Sequence, residues 1–209
     1  MELIAQTVSD FTAITASDAP APGGGSISAL AGSLAAALGQ MVLNLTLGRP
    51  KYAQAELELA PLVSPLRDAQ AVLLRAVDED SNAFNQYMAA LSLPKTTEEE
   101  IAARKAAMQE GLKTAALVPL GVAERVAALL PLLEKVVTLG NPNSVTDGMV
   151  AVMMARTAVL GAIFNVRVNL QSIRDEAFCA QLEARCAACQ QEAQTMEAKI
   201  LHHVPFSQF

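Results

Sequence analysis

Tryptophan is absent from this chain, aromatic residues make up only 4%, and there are three cysteines. The shortage of aromatics excludes a core built from large rings. Because apolar residues still amount to 52%, alanine, leucine and valine must fill the interior, which suits closely packed helices better than sheets. No stretch alternates apolar and polar residues over a useful length, so no strand is predicted. An odd cysteine count, with no secretory pattern in MELIAQTVSD, predicts reduced thiols and a cytoplasmic location. Cys186 and Cys189 have CxxC spacing, but no strand-to-helix turn precedes them, and His202 and His203 lie far along the chain. They are read as inert helix residues, and no metal site is assigned.

Positive charge is scarce as well. The net charge is −6, with no basic stripe interleaved with aromatics, which argues against a nucleic-acid partner. Between Asp18 and Arg49 there is no charge at all, a run long enough to span a membrane. Ser26, Ser28, Ser33, Gln40, Asn44 and Thr46 recur through it, so a helix buried in protein is the better reading, with no membrane partner.

What is present is helical periodicity over nearly the whole chain. The spacing predicts a short helix from about Leu3 to Ile14, then a long small-residue helix that starts at Ser26 and ends near Gly48. Pro61 and Pro65 interrupt the next segment before a helix over about Leu66–Leu91. Thr97 with Glu100 has capping-box spacing, and the helix that follows should kink or break at Pro119, with another running to about Thr138. Ser144 with Asp147 repeats the capping-box pattern ahead of a helix through Ser172, and a last helix covers about Asp175–His202. At 209 residues this is one all-α domain, residues 1–209, a helical bundle with long small-residue helices. Ala, Gly and Ser on several faces of residues 27–47 predict close approach of a partner helix, and hence a dimer.

Three features do not fit a bland bundle. Leu73, Val77, Phe84, Met88 and Leu91 form one apolar stripe, and continuing it places Asp80 on the same face, while Asp78 and Glu79 fall towards solvent. A carboxyl on such a face has either a raised pKa suited to proton transfer, or a capping or ion-pair partner on a neighbouring helix. Asp147 and Asn165, five turns apart, share a helix face with Gly161 and Asn169. That polar seam holds either an amide-rich heterocycle or a neighbouring backbone. The triplet Gly23-Gly24-Gly25 before Ser26 is neither a P-loop nor a dinucleotide fingerprint, since no strand precedes it and no Gly-Lys-Ser/Thr follows. It can offer helix-terminal amides and bare backbone to a ligand, or let two helices touch.

Taken together, APAPGGGSISALAGSLAAALGQMVLNLT, DEDSNAFNQYMAALSLPKTTEEE and GNPNSVTDGMVAVMMARTAVLGAIFNVRVNL resemble the cyclodeaminase/cyclohydrolase family of folate enzymes, over about Leu3–Phe178. The resemblance implies an all-helical fold, a dimer or dimer-based assembly, and a tetrahydrofolate substrate as the only cofactor-like group. The family's proposed catalytic aspartate lies in an Asp-x-x-Ala-Phe context, which matches Asp80 with Ala83-Phe84. The resemblance also implies a binding set of Gly23, Gly24, Gly25, Ser26, Asn141, Asp147, Asn165 and Asn169. Arg49 and Lys51 are expected at the glutamate tail, although Pro50 interrupts the basic run that the family often carries there. The activity implied is formimidoyltetrahydrofolate cyclodeamination, placed first on the stretch GAIFNVRVNL. Methenyltetrahydrofolate cyclohydrolysis in the same site is the alternative, and a non-catalytic folate-binding or structural bundle is the rival of another class.

Overall fold

A computed structural model describes residues 2–204, whose regular elements are all helices, with no strand among them. The α-helices are α1 (Val8–Thr15), α2 (Gly24–Asn44), α3 (Glu56–Leu59), α4 (Val63–Leu91), α5 (Glu98–Ala127), α6 (Leu130–Leu139), α7 (Val145–Leu170) and α8 (Glu176–His202). Short 3-10 turns at Leu3–Ala5, Pro50–Tyr52, Ala60–Leu62 and Pro142–Ser144 join them.

The local chemistry of the helix ends accounts for most boundaries. Thr97 and Glu100 form the expected capping box, so two of the orphan amides of α5 are satisfied reciprocally. The Asp175 side chain caps α8 by accepting from the Phe178 amide. Four expectations need correction. The N-terminal segment is a 3-10 turn followed by α1, not one helix; Asp78 holds it in place, accepting from the Leu3 amide at 2.7 Å and the Ile4 amide at 3.4 Å. Asp78 therefore does not simply face solvent. Ser144 makes no side-chain cap, because its hydroxyl donates to the Asn141 carbonyl instead. The small-residue helix begins at Gly24, two residues earlier than expected, and stops at Asn44.

Of the kink or break expected at Pro119, there is no break, because α5 runs through it as one helix. A proline removes the amide that would bond the carbonyl four residues earlier. That carbonyl belongs to Ala115, and the Asn169 side chain of α7 donates to it at 3.1 Å. A side chain from a neighbouring helix thus replaces the missing backbone bond.

α2 is the centre of the bundle, packed on α4 along one side and on α7 along another, while α5 bridges α4 and α7. Three columns run along it at seven-residue spacing. Gly25, Gly32 and Gly39 face the interior; a Cβ at Gly32 would stand 2.5 Å from Val126 Cγ2, and one at Gly39 2.8 Å from Leu133 Cδ2. Ser26, Ser33 and Gln40 face α4, bonding to the Val77 carbonyl, the Gln70 carbonyl and the Gln70 side chain. Ile27, Leu34 and Met41 point outward and are exposed. The small residues therefore serve contacts within the chain, and the outward face is built of larger apolar groups. Alpha-helices 2 and 7 run antiparallel, with Gly24 beside Asn165, Ser28 beside Gly161 and Gly32 beside Ala158.

The stretches Gly24–Asn44, Glu98–Leu139 and Pro142–Leu170 are long and apolar enough to cross a membrane by length and composition. In the fold they pack around one shared core of Ala, Leu and Val side chains. α8 closes the outside, tied to the helices beneath it by Arg156–Glu197, Arg167–Glu183, Arg185–Glu124 and Lys199–Glu134 ion pairs.

The inward glycine column has no spare volume. Gly32→Ala should destabilise the protein by about 1–3 kcal/mol, as overpacking does elsewhere. Urea unfolding measures it, and unchanged stability would show that Val126 can yield.

Candidate functional site

None of Gly23, Gly24 and Gly25 has a positive φ, so the triplet is not there to make a turn. Gly23 is the N-cap of α2 in extended conformation, and a Cβ there would meet nothing within 4 Å. A Cβ on Gly24 would stand 3.0 Å from Asn165 Nδ2. At Gly25 it would stand 2.5 Å from Cγ of Asp80. The third glycine is thus what lets a carboxyl from α4 lie against the first turn of α2. That turn carries amides with no acceptor inside the helix and the positive end of its dipole.

Asp80 reaches this position from the middle of α4, beside buried Val77 and Ser81. Burial pushes its pKa above the usual aspartate range, while bonds from the hydroxyl and backbone of Ser26 oppose the shift. The Ser26 hydroxyl lies 2.9 Å from the Val77 carbonyl oxygen, 3.0 Å from Asp80 Oδ2 and 3.1 Å from Ser81 Oγ. It has one hydrogen, so it cannot donate to Val77 and Asp80 together. When Asp80 is ionised, Ser26 can donate to it; when Asp80 is protonated, the acid can donate to Ser26, which turns its hydrogen to Val77. The carboxyl can therefore change protonation without moving. Ser26 itself lies inside the first turn of α2, whose N-cap is Gly23.

Across the cavity, α7 supplies two amides. Asn165 Nδ2 donates to the Gly161 carbonyl at 2.8 Å, and Asn169 Nδ2 donates to the carbonyls of Ala115 and Asn165 at 3.1 and 2.8 Å. Only the NH2 end of an amide can donate to a carbonyl, which fixes both orientations. Each Oδ1 then remains as an acceptor for something with N–H groups. The cavity between these groups measures about 350 Å3 and is also lined by Pro20, Ala21, Ser81, Phe84, Ala115 and Val168. That is within the range of small-molecule sites.

Of the residues singled out in the sequence, Gly23, Gly24, Gly25, Asp80, Asn165 and Asn169 line this cavity, and Ser26 backs it through its bond to Asp80. Four do not. Asp147 shares a face of α7 with Asn165 but sits in the opposite end's first turn, about 27 Å away at 1.5 Å per residue. Asn141 is buried in a structural role: its side chain accepts from the Tyr52 hydroxyl at 2.8 Å and donates to the Leu45 carbonyl at 3.2 Å. Arg49 and Lys51 are exposed on the turn that Asn141 holds, past the far end of α2. Ser81, Ala115 and Val168 were not anticipated; Ser81 follows Asp80 directly, but Ala115 carries no sequence signal. The thiols behave as expected of helix residues. Cys186 and Cys189 are buried, and burial pushes Cys186 up to about 11. An apolar groove of about 440 Å3 between α1, α2 and α4 has no titratable group in its lining.

A partly buried acid with a hydroxyl that can follow its proton lies opposite two fixed acceptors, an arrangement able to exchange a proton with a ligand and to accept its N–H groups. Comparison with known proteins gives the family. The family model described as formiminotransferase-cyclodeaminase matches residues 7–188. The formimidoyltransferase-cyclodeaminase of Sus scrofa is 39% identical over 199 residues, covering 95% of this chain and 37% of that protein. The methenyltetrahydrofolate cyclohydrolase of Methylorubrum extorquens is 39% identical over 176 residues, covering 84% of this chain and 85% of that one. The crystal structure of formiminotetrahydrofolate cyclodeaminase from Thermotoga maritima superposes with a TM-score of 0.77 at 29% identity, over 96% of this chain and all of the other. The chain belongs to the formiminotransferase-cyclodeaminase family. It spans about a third of the length of the formimidoyltransferase-cyclodeaminases it matches.

The glycines now predict different outcomes. Gly25→Ala should displace Asp80 and reduce turnover by about 10²-fold or more, as misplacing a reacting group does. Gly23→Ala should leave turnover within about twofold, since its Cβ meets open space. Steady-state rates on the two purified variants check this, and equal effects would refute the distinction.

Proposed function

We propose that this chain is a formimidoyltetrahydrofolate cyclodeaminase, with Asp80 as its general acid and base. The observation that carries the reading is the placement of Asp80, raised in pKa by burial, in a cavity with two amide acceptors. The pterin of a reduced folate has ring and exocyclic N–H groups, which suit the Oδ1 atoms of Asn165 and Asn169. Bare backbone at Gly24, beside the Asn165 amide, leaves room for the ring system.

In this reading N10 attacks the formimino carbon on N5, forming the C–N10 bond. Asp80 takes the N10 proton and delivers it to the amine, and a second proton from solvent completes ammonia as the C–N bond to it breaks. The product is 5,10-methenyltetrahydrofolate. Ser26 turns its hydrogen to Asp80 in the ionised state and away in the protonated one, so each transfer avoids reorganisation. The one-carbon unit keeps its oxidation level, and the proposal includes no redox cofactor or metal. It places the chain in the cytoplasm, away from membranes and nucleic acid, as a homodimer.

A second reading has one specific support. The Methylorubrum extorquens cyclohydrolase matches over most of its own length, and the same carboxyl could take a proton from water attacking the methenyl carbon and pass it to N5. Methenyl absorbance followed with ammonia release separates the two. Appearance of the chromophore from formimino substrate supports cyclodeamination; faster loss of added methenyl substrate supports cyclohydrolysis.

Asp80→Asn should fold and lose about 10²–10⁴-fold in turnover. Its stability should depend on pH in a defined sense. Because burial raises the folded pKa, wild type loses stability as pH rises from the ordinary aspartate range through the raised value, and the amide does not. The variant should therefore be at least as stable at about pH 8, with the difference vanishing below about pH 4. Melting temperatures across that range check it; near-wild-type activity would remove Asp80 from the chemistry.

Ser26→Ala removes a group that holds the Asp80 pKa down. The acidic limb of the kcat/KM profile should move to higher pH, because the base form of Asp80 then appears later. An unmoved limb would disconnect Ser26 from proton transfer.

A further inference from the structure

Residues 3–22 lie over the bundle as a strap, and little apolar burial holds them there. α1 rests lightly, with Phe11 its one buried side chain, and the 3-10 turn before it buries none. A groove of about 440 Å3 opens beneath, between Ile4, Phe11 and Thr15 of the strap and Leu30, Leu74 and Val77 of α2 and α4. Gln6 Oε1 is buried without a hydrogen-bond partner among the described residues, which penalises the seated position.

Asp78 supplies what burial does not. Its carboxylate accepts from the Leu3 amide at 2.7 Å and the Ile4 amide at 3.4 Å. Both amides open a 3-10 turn and have no acceptor within it, so a charge-assisted bond meets no internal rival. Among the described residues, these are the only hydrogen bonds between residues 3–22 and residues 24–200, and no ion pair joins the two.

The other end of the strap is a wall of the acid site. After α1, Ser17 donates through its N–H and its hydroxyl to the Ile14 carbonyl, at 3.1 and 2.7 Å, and the Ala19 amide donates to Ser17 Oγ at 3.1 Å. These bonds tie the loop to α1. Pro20 and Ala21 then line the cavity beside Gly23. Pro20 and Pro22 have a fixed φ and no amide to donate, so the wall takes its position from α1 on one side and Gly23 on the other. Asp78 and Asp80 stand about 200° apart round α4. One turn of that helix carries the acid on one face and the fastening of the cavity wall on another.

We infer that Asp78 is a positioning residue for the proposed reaction: it fastens the strap, and the strap carries Pro20 and Ala21 into place as a wall against which the substrate binds. Unfastened, the strap leaves the bundle part of the time, and only the seated fraction binds. Apparent affinity then falls by that fraction. At saturation every molecule is seated, with Asp80, Ser26, Asn165 and Asn169 undisturbed, so turnover is kept. The coupling is reciprocal: a ligand that touches only the wall must draw the far end of the strap back. The inference rests on the folate reading for its ligand, while the fastening does not.

Asp78→Ala and Phe11→Ala loosen the strap from two places, the second on a different element from Asp80. Each should raise KM for the formimino substrate about tenfold and leave kcat within about twofold of wild type. Hydrogen exchange without ligand should quicken about tenfold over residues 8–15 of both variants and stay unchanged in α5. Saturating 5-formyltetrahydrofolate, which has no amine to lose, should restore most of that protection, although no residue of α1 lines the cavity. A fall in kcat at unchanged KM would place the effect of Asp78 on Asp80 and overturn the inference. Unchanged exchange over residues 8–15 overturns it too, as does quickened exchange that the folate does not slow. Should Asp78→Ala fail to fold, Phe11→Ala decides by the same readings. Loss of the folate reading shows separately, as inactivity of wild type on both formimino and methenyl substrates, while ligand-free exchange still reports whether Asp78 fastens the strap.

Discussion

The structure depends on how near the surrounding helices can come to the backbone of α2. Where a side chain would stand on the inward column of α2 there is hydrogen, and the neighbours fill the space: Asp80 at Gly25, Val126 at Gly32, Leu133 at Gly39. The adjoining column supplies hydroxyl or amide groups that bond across to α4. Packing and polar satisfaction are therefore solved on neighbouring faces, repeating every second turn. At the start of the helix the group admitted is a carboxyl, and its bonding partner is the first serine.

The carboxyl is held by opposing influences of comparable kind. Burial favours its neutral form, whereas Ser26 and the amide-rich helix start favour the charged one. Asn169 ties this balance to the rest of the bundle. Its NH2 group is spent on the carbonyl that Pro119 leaves without a backbone donor, so the oxygen has no choice but to face the cavity end. A proline in the middle of one helix thus orients an acceptor on another.

Much of this was legible in the sequence. Helical periodicity, the Thr97–Glu100 box and the place of Asp80 on the face of Leu73 and Val77 were readable, because each depends on residues within a few turns; Met88, expected on the same stripe, is exposed. The unbroken passage of α5 through Pro119 was not, since its rescue comes from Asn169, 50 positions further along. Asp147 misled for a related reason: a shared helix face says nothing about separation along the axis. The seven-residue columns of α2 were present in GSI, GSL and GQM. Their meaning appears only when the neighbours are known, because small residues at a helix surface look alike whether they face another chain or their own. Arg49 and Lys51 were legible as cations, but a single chain gives no position for them against the cavity.

The outermost helix is fastened in two ways. Leu182, Cys186, Ala193 and Ile200 of α8 are buried in the core, and four Arg or Lys to Glu pairs, partly open to water, add to that fit from outside. Such pairs weaken as mobile ions accumulate, and steric fit does not. Brine should accordingly loosen the shell of this protein before it reaches the glycine seam, so that amide exchange quickens along α8 while the acid at the heart of the bundle keeps its surroundings.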